Sequence, residues 1–142
     1  MAIPTPPKKA TSMASRVNYP SEGEFCAYLL AAAVQVHILH LRVKGPGAYA
    51  AHMALNTLYD ELPDLVDSLA ESMQGKMGLL DYSYSVSYDN SVAGTPLNYV
   101  RGCLNYVKES RKGICQDTYV QNQIDGIEEL IYSTIYKLEN LQ

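Results

Sequence analysis

All three histidines of the chain fall within sixteen residues, at His37, His40 and His52. His37 and His40 stand at i and i+3, a spacing that sets both on one face of a helix. His52 follows a Gly45-Pro46-Gly47 turn and opens the next periodic segment. Further along that segment Asp67 and Glu71 stand at i and i+4, so their carboxylates also share a face. Neutral imidazole with carboxylate is the donor set suited to iron, manganese or zinc, and helices that face one another are where such donors converge. On spacing alone the plainer reading is the commoner one. Histidines near a helix end are often satisfied by a carbonyl, and an Asp/Glu pair is commonly a wet face.

Helix geometry constrains the metal reading. His52 and Asp67 are fifteen residues apart on one segment, about 22 Å along the axis at ~1.5 Å per residue. One chain therefore does not bring His40 and His52 to the same ion as Asp67 and Glu71. Pairing the second helix with its copy across a twofold axis does, with two equivalent sites per dimer and the His pair and acid pair drawn from different subunits.

The elements that must position these residues read as all-α. Ser21 and Glu24 form a capping box outside an apolar run that starts at Phe25. Leu30, Ala33, Val34, His37 and Leu41 make a continuous stripe, and with apolar residues on nearly every side this helix is expected to be buried on two faces. Lys44-Gly45-Pro46-Gly47 ends it. A second helix is expected from about Ala48 to Gln74, with Gly75 as its stop and a bend at Pro63. Leu55, Leu58, Leu62, Leu65, Val66, Leu69 and Met73 keep its inner spacing. Residues 76–94 read as a long surface connection, because the alternating Tyr82, Tyr84, Val86 and Tyr88 have no partner strand. Thr95 and Pro96 open a third helix that ends before Gly113, with Leu97, Val100, Leu104 and Val107 inside. Asp117 caps a fourth with Val120, Ile124, Ile127, Ile131, Ile135 and Leu138 inside. The expected fold is an antiparallel four-helix bundle over 21–142 with one long crossover between the second and third helices, preceded by an extended arm, 1–20, that carries four prolines.

Composition narrows the classes. At 142 residues, 47% apolar and 18% charged, the chain suits one domain with one core. The apolar run Ala27 to Val34 is too short to span a bilayer, and no basic stretch leads into an apolar one near Met1, so neither a membrane partner nor a secretory signal is expected. Cys26, Cys103 and Cys115 match no metal knuckle and no even disulfide set, which points to reduced thiols in a cytoplasmic setting. A cysteine nucleophile is rejected, since no histidine is near Cys26 or Cys115. The net charge of −4 divides into +3 over residues 1–16 (Lys8, Lys9, Arg16) and −7 over the remainder. An acidic body argues against a nucleic-acid surface, so DNA is expected to be bound weakly at most, through 1–16.

The segment from His40 through Val43-Lys44-Gly45 to His52, followed by Asp67 and Glu71, resembles the Dps-type mini-ferritins (DNA-binding proteins from starved cells) of the ferritin-like superfamily. In them a His at the end of the first helix is followed after twelve residues by a second, after fifteen by an Asp and after four by a Glu. All three intervals match, with Tyr59 and Ala70 nearby, and the likeness extends over most of 21–140. It implies a dimer-based shell of twelve subunits that binds Fe(II) at the twofold interface, oxidises it with hydrogen peroxide and stores the ferric product. By position, the ligands and catalytic residues are His40 and His52 of one chain with Asp67 and Glu71 of its mate. His37 and Asn56 support them from behind. Iron, as one or two ions, is the implied metal, with zinc and manganese left open. Leu41 stands where the family commonly has Trp, and Asn56 where many members have Asp; Tyr49 and Tyr59 are candidate electron donors instead.

A second reading, from another class, is a structural or assembly protein that reuses the bundle within a larger particle, such as a virion component encoded by a virus of bacteria. The tyrosine-rich connection, the proline-rich arm, Leu41 and Asn56 favour it.

Overall fold

A computed structural model of the chain describes residues 17–83 and 95–141. The N-terminal arm up to residue 16, with its expected weak DNA contact, and the crossover residues 84–94 lie outside the described residues.

Among the described residues four helices form in chain order: α1 (Glu22–Arg42), α2 (Ala48–Met77), α3 (Pro96–Ser110) and α4 (Thr118–Asn140), with a 3-10 turn at Arg111–Gly113 between the last two. Among the described residues there is no strand. The starts follow the local chemistry. The Ser21 hydroxyl accepts from the Glu24 amide at 3.2 Å, satisfying one of the donors that a helix start leaves open. Pro96 occupies the first position of α3, where its missing N–H costs nothing. Asp117 precedes α4 as expected, but its carboxylate bonds Lys76 and the Tyr119 hydroxyl instead of capping the helix.

The helices share one core. Phe25, Leu29 and Val36 from α1, Leu55, Leu58, Leu69 and Met73 from α2, Val100 and Val107 from α3, and Ile124, Ile127 and Ile131 from α4 all sit in it. α2 packs on both α1 and α4, and α3 packs mainly on α4. The predicted inner stripes of α2, α3 and α4 all turn inward, with Leu65, Leu97 and Leu138 at the margin.

Three expectations are corrected. First, α2 does not stop at Gly75. It continues to Met77, and Gly78 ends it with φ of 87° while its N–H bonds the Gln74 carbonyl. A glycine inside a helix costs only about 1 kcal/mol, whereas a left-handed stop is nearly reserved for glycine, so the second glycine wins. Second, α1 is not buried on two faces. Its core face is Phe25, Cys26, Leu29, Ala32, Ala33, Val36, Leu39 and His40, while Leu30, Val34, His37 and Leu41 lie exposed. Third, run length understates α1: the helix is long and apolar enough to cross a membrane, with mean hydropathy 1.4 over its best window, of which half is buried inside the protein. Pro63 lies within a single α2, as expected.

The start of the connection after α2 folds back onto α1. Gly23 lies directly under the Asp81 main chain, and any Cβ there would collide with the Asp81 carbonyl. Gln74 pins the same segment, its side-chain oxygen accepting from the Leu80 amide at 3.3 Å and the Tyr82 hydroxyl at 2.9 Å.

Candidate metal centre

The last turn of α1 and the first turns of α2 meet across the short 43–47 link, and both carry histidine. A helix end leaves its last carbonyls without intrahelical donors. His52 supplies one: its Nδ1 donates to the His40 carbonyl at 3.0 Å. The bond is reciprocated, because His40 Nδ1 donates to the His52 carbonyl at 2.8 Å. The two rings lie stacked with centroids 3.5 Å apart and an interplanar angle of 22°. His40 is buried and His52 half-buried.

These bonds set the tautomers. A carbonyl accepts only, so both Nδ1 atoms carry hydrogen, and in the neutral rings both Nε2 atoms hold a lone pair. An imidazole held by an Nδ1–H···O=C bond with Nε2 bare has the orientation that metal-ligating histidines adopt. It also satisfies the plainer expectation that these histidines answer to carbonyls, so the bond alone does not choose between the two.

Around the pair the polar side chains form a connected set. The Tyr59 hydroxyl lies 3.4 Å from His40 Nε2 and donates to Asn56 Oδ1 at 2.6 Å. Asn56 Nδ2 donates to Asp60 Oδ2 at 3.0 Å, which carries the chain of bonds to an exposed carboxylate. His37 lies flat against the Tyr59 ring at 4.0 Å and 11°, and the His40 ring meets Tyr59 edge-on at 5.0 Å. All three histidines are thus brought together with Tyr59 at the hub. Asn56 touches Tyr59 and Asp60, and His37 touches Tyr59 and the edge of His40. Residues 52, 56, 59 and 60 are a helix-spaced set in the sequence, but the role of Tyr59 and Asp60 depends on side-chain directions that spacing does not give.

Asp67 and Glu71 lie exposed toward the other end of α2, as the helix rise requires. Asp67 faces the folded-back connection: the Tyr82 phenol is pushed up chiefly by burial, then by Cys26 and by the charge of Asp67. Among the described residues no three His, Cys, Asp or Glu side chains stand close enough to hold a metal ion. The three cysteines are free thiols. Burial pushes Cys26 up to about 12, with Glu22 adding to it, and burial likewise raises Cys103, so both are poor nucleophiles.

The fold and this junction define a class: a four-helix protein whose first helix pair is closed by an interlocked histidine pair. Its family is then given by residues 40–138, which match a model described as a family of unknown function (DUF5856); the chain belongs to that family. The matched span contains His40, His52, Asp67 and Glu71. The chain is also similar to an uncharacterized 14.6 kDa protein of the mobD-ri intergenic region in Enterobacteria phage T4. The two are 27% identical over 125 residues, covering 87% of this chain and 93% of the relative. No solved structure matches the chain.

Proposed function

We propose that the protein binds and oxidises Fe(II) at a site completed across a twofold dimer, in the manner of the mini-ferritins that its histidine and acid intervals resemble. The observation that carries this reading is the joint placement of two carbonyl-held imidazoles, His40 and His52, at one end of α2 and two exposed carboxylates, Asp67 and Glu71, toward the other. Half a coordination sphere is pre-oriented at the histidine end, and among the described residues no third His, Cys, Asp or Glu of the same chain stands close enough to finish it. An antiparallel copy of α2 crossing near residues 61 and 62 places Glu71 of the mate beside His52 and Asp67 of the mate beside Asn56. Leu30, Val34 and Leu41, exposed by 42%, 45% and 69%, with Tyr49 and Met53, are the apolar surface that such a dimer covers. The bundle is read as antiparallel and ferritin-like, assembled from dimers into a closed shell.

In this reading iron is the substrate. Two Fe(II) ions give one electron each to hydrogen peroxide, whose O–O bond breaks to yield two waters with two protons taken up. His40 and His52 hold Fe(II), the carboxylates of Asp67 and Glu71 favour the ferric product by their charge, and His37 and Asn56 steady the site.

A second reading is an assembly protein of a phage particle without iron chemistry, to which the T4 relative adds only that a phage encodes a similar chain. Anaerobic Fe(II) titration followed by hydrogen peroxide, with size-exclusion chromatography alongside, separates the two. Stoichiometric binding, ferric absorbance and a shell-sized particle are expected. A folded helical protein that binds no Fe(II) overturns the ferroxidase reading in favour of the assembly one.

A further inference from the structure

We propose that Lys76 and Cys115 are a redox-switched covalent pair: hydrogen peroxide converts the thiol to a sulfenic acid, and the Lys76 amine condenses with it to a sulfenamide. The bridge ties the end of α2 to the start of α4. It lies at the opposite end of α2 from the histidines and needs no metal.

The three thiols of the chain differ in what reaches them. Cys26 and Cys103 are buried, and burial raises both, so peroxide meets neither as a thiolate. Cys115 is partly exposed. It is not alone. Lys76 Nζ donates to its sulfur at 3.8 Å, across 39 residues of sequence. The Asp117 carboxylate bonds both groups, accepting from Lys76 and from the thiol. The Tyr119 hydroxyl donates to the same carboxylate at 3.1 Å. Thiols that oxidise selectively are reached by solvent and stand beside a cation, and Cys115 has both features.

The chemistry closes on these groups. In the first step the sulfur attacks one peroxide oxygen: an S–O bond forms, the O–O bond breaks, and the thiol proton leaves with the departing oxygen as water. In the second the Lys76 nitrogen attacks that sulfur: an S–N bond forms, the S–O bond breaks, and a second water leaves. Sulfur loses two electrons, peroxide gains them, and the ammonium proton goes to solvent by way of Asp117. A sulfenic acid commonly ends on a second thiol or a backbone nitrogen. Here both other thiols are in the core, while the amine is already in contact, on a four-carbon stem whose rotamers close the remaining gap. Asp117 raises Lys76 by holding its ammonium, so condensation runs faster in mild base, where more of the amine is free. A dithiol reverses it. Because the bridge closes a loop that holds the crossover and all of α3, it restrains the unfolded chain and stabilises the oxidised form.

The test is to treat the full chain with hydrogen peroxide in chelator-washed, mildly basic buffer, quench with catalase, and read intact mass, peptide map and accessible thiol. The natural chain, Lys76→Arg and Cys115→Ser are compared. The natural chain is expected to lose the mass of two hydrogens, to yield a peptide joining residues 76 and 115, and to lose the reaction of Cys115 with a thiol-reactive dye. Dithiothreitol is expected to restore all three. The urea midpoint is expected to rise on oxidation and to fall back on reduction. Lys76→Arg keeps the ion pair with Asp117 but offers no amine that condenses. It is expected to stop at the sulfenic acid, gain one oxygen and take up dimedone. Cys115→Ser is expected to change in none of these ways. A natural chain that gains oxygen at Cys115 without joining Lys76, that pairs Cys115 with a second copy as a disulfide, or that leaves Cys115 untouched overturns the inference. A loss of two hydrogens that persists in Lys76→Arg overturns it too.

Discussion

The two ends of α2 are built in opposite ways. Its N-terminal end is knitted to α1 by side chains: two histidines exchange bonds with each other's carbonyls, and Tyr59, Asn56 and Asp60 extend that set outward. At its C-terminal end the acids Asp67 and Glu71 stand exposed, and what holds the helix there is Leu69 and Met73 in the core with Gln74 and Lys76 reaching to neighbouring segments. The contrast teaches what each end is free to do. Donors whose orientation is fixed within the chain can meet a metal at little entropic cost. Carboxylates on an open surface are available to something outside the chain, which in the proposed dimer is the fixed end of a second copy.

The largest effect is expected where the two ends are alike. Leu55 near the histidines and Leu69 near the acids are both fully buried, so Leu55→Ala and Leu69→Ala should each cost about 2–5 kcal/mol in urea unfolding. A much smaller loss at one of them would show that this end is not part of the common core. The ends separate at the next level. In metal-free protein His40→Ala removes a bond to the His52 carbonyl and a ring stack, and should cost about 1–3 kcal/mol. Asp67→Ala, on an exposed site, should stay within about 0.5 kcal/mol while still lowering iron binding. Equal stability losses for the two would break the contrast.

The smallest effect concerns the join of α2 to α4. Lys76 and the Tyr119 hydroxyl hold the Asp117 carboxyl below its ordinary 3.8, and the same contact raises Lys76. A carboxyl with a lowered folded pKa adds stability above its unfolded value and loses it as pH falls through the folded one. The stability gap between the natural chain and Asp117→Asn should therefore be open at pH 6 and close below the ordinary 3.8. A gap unchanged in acid would show that the ion pair with Lys76 does not carry it.

Much of this was legible in the residues. Ser21, Pro96 and Asp117 mark helix starts that the structure keeps, and the inner stripes of α2, α3 and α4 follow from periodicity alone. Periodicity could not tell which of the two apolar stripes of α1 meets its own chain, because burial of Leu29 and exposure of Leu30 depend on where the other helices lie. At the site, the gathering of the three histidines followed from the short link, and the remoteness of Asp67 and Glu71 followed from the helix rise. The place of Tyr59 did not. It rests on rotamers and on which way an amide points, and neither leaves a trace in spacing.

Pro63 sits four residues after Tyr59 inside α2. It has no amide hydrogen, so the rung of the helical ladder that would end on the Tyr59 carbonyl is missing. In hydrogen–deuterium exchange α2 is then expected to protect as two units, divided near the residue whose side chain faces His40. The half that holds the acids can open while the half that holds the histidines stays closed. Slow exchange at Asn56 and faster exchange just beyond Pro63 would be the signature of a helix articulated at its own midpoint.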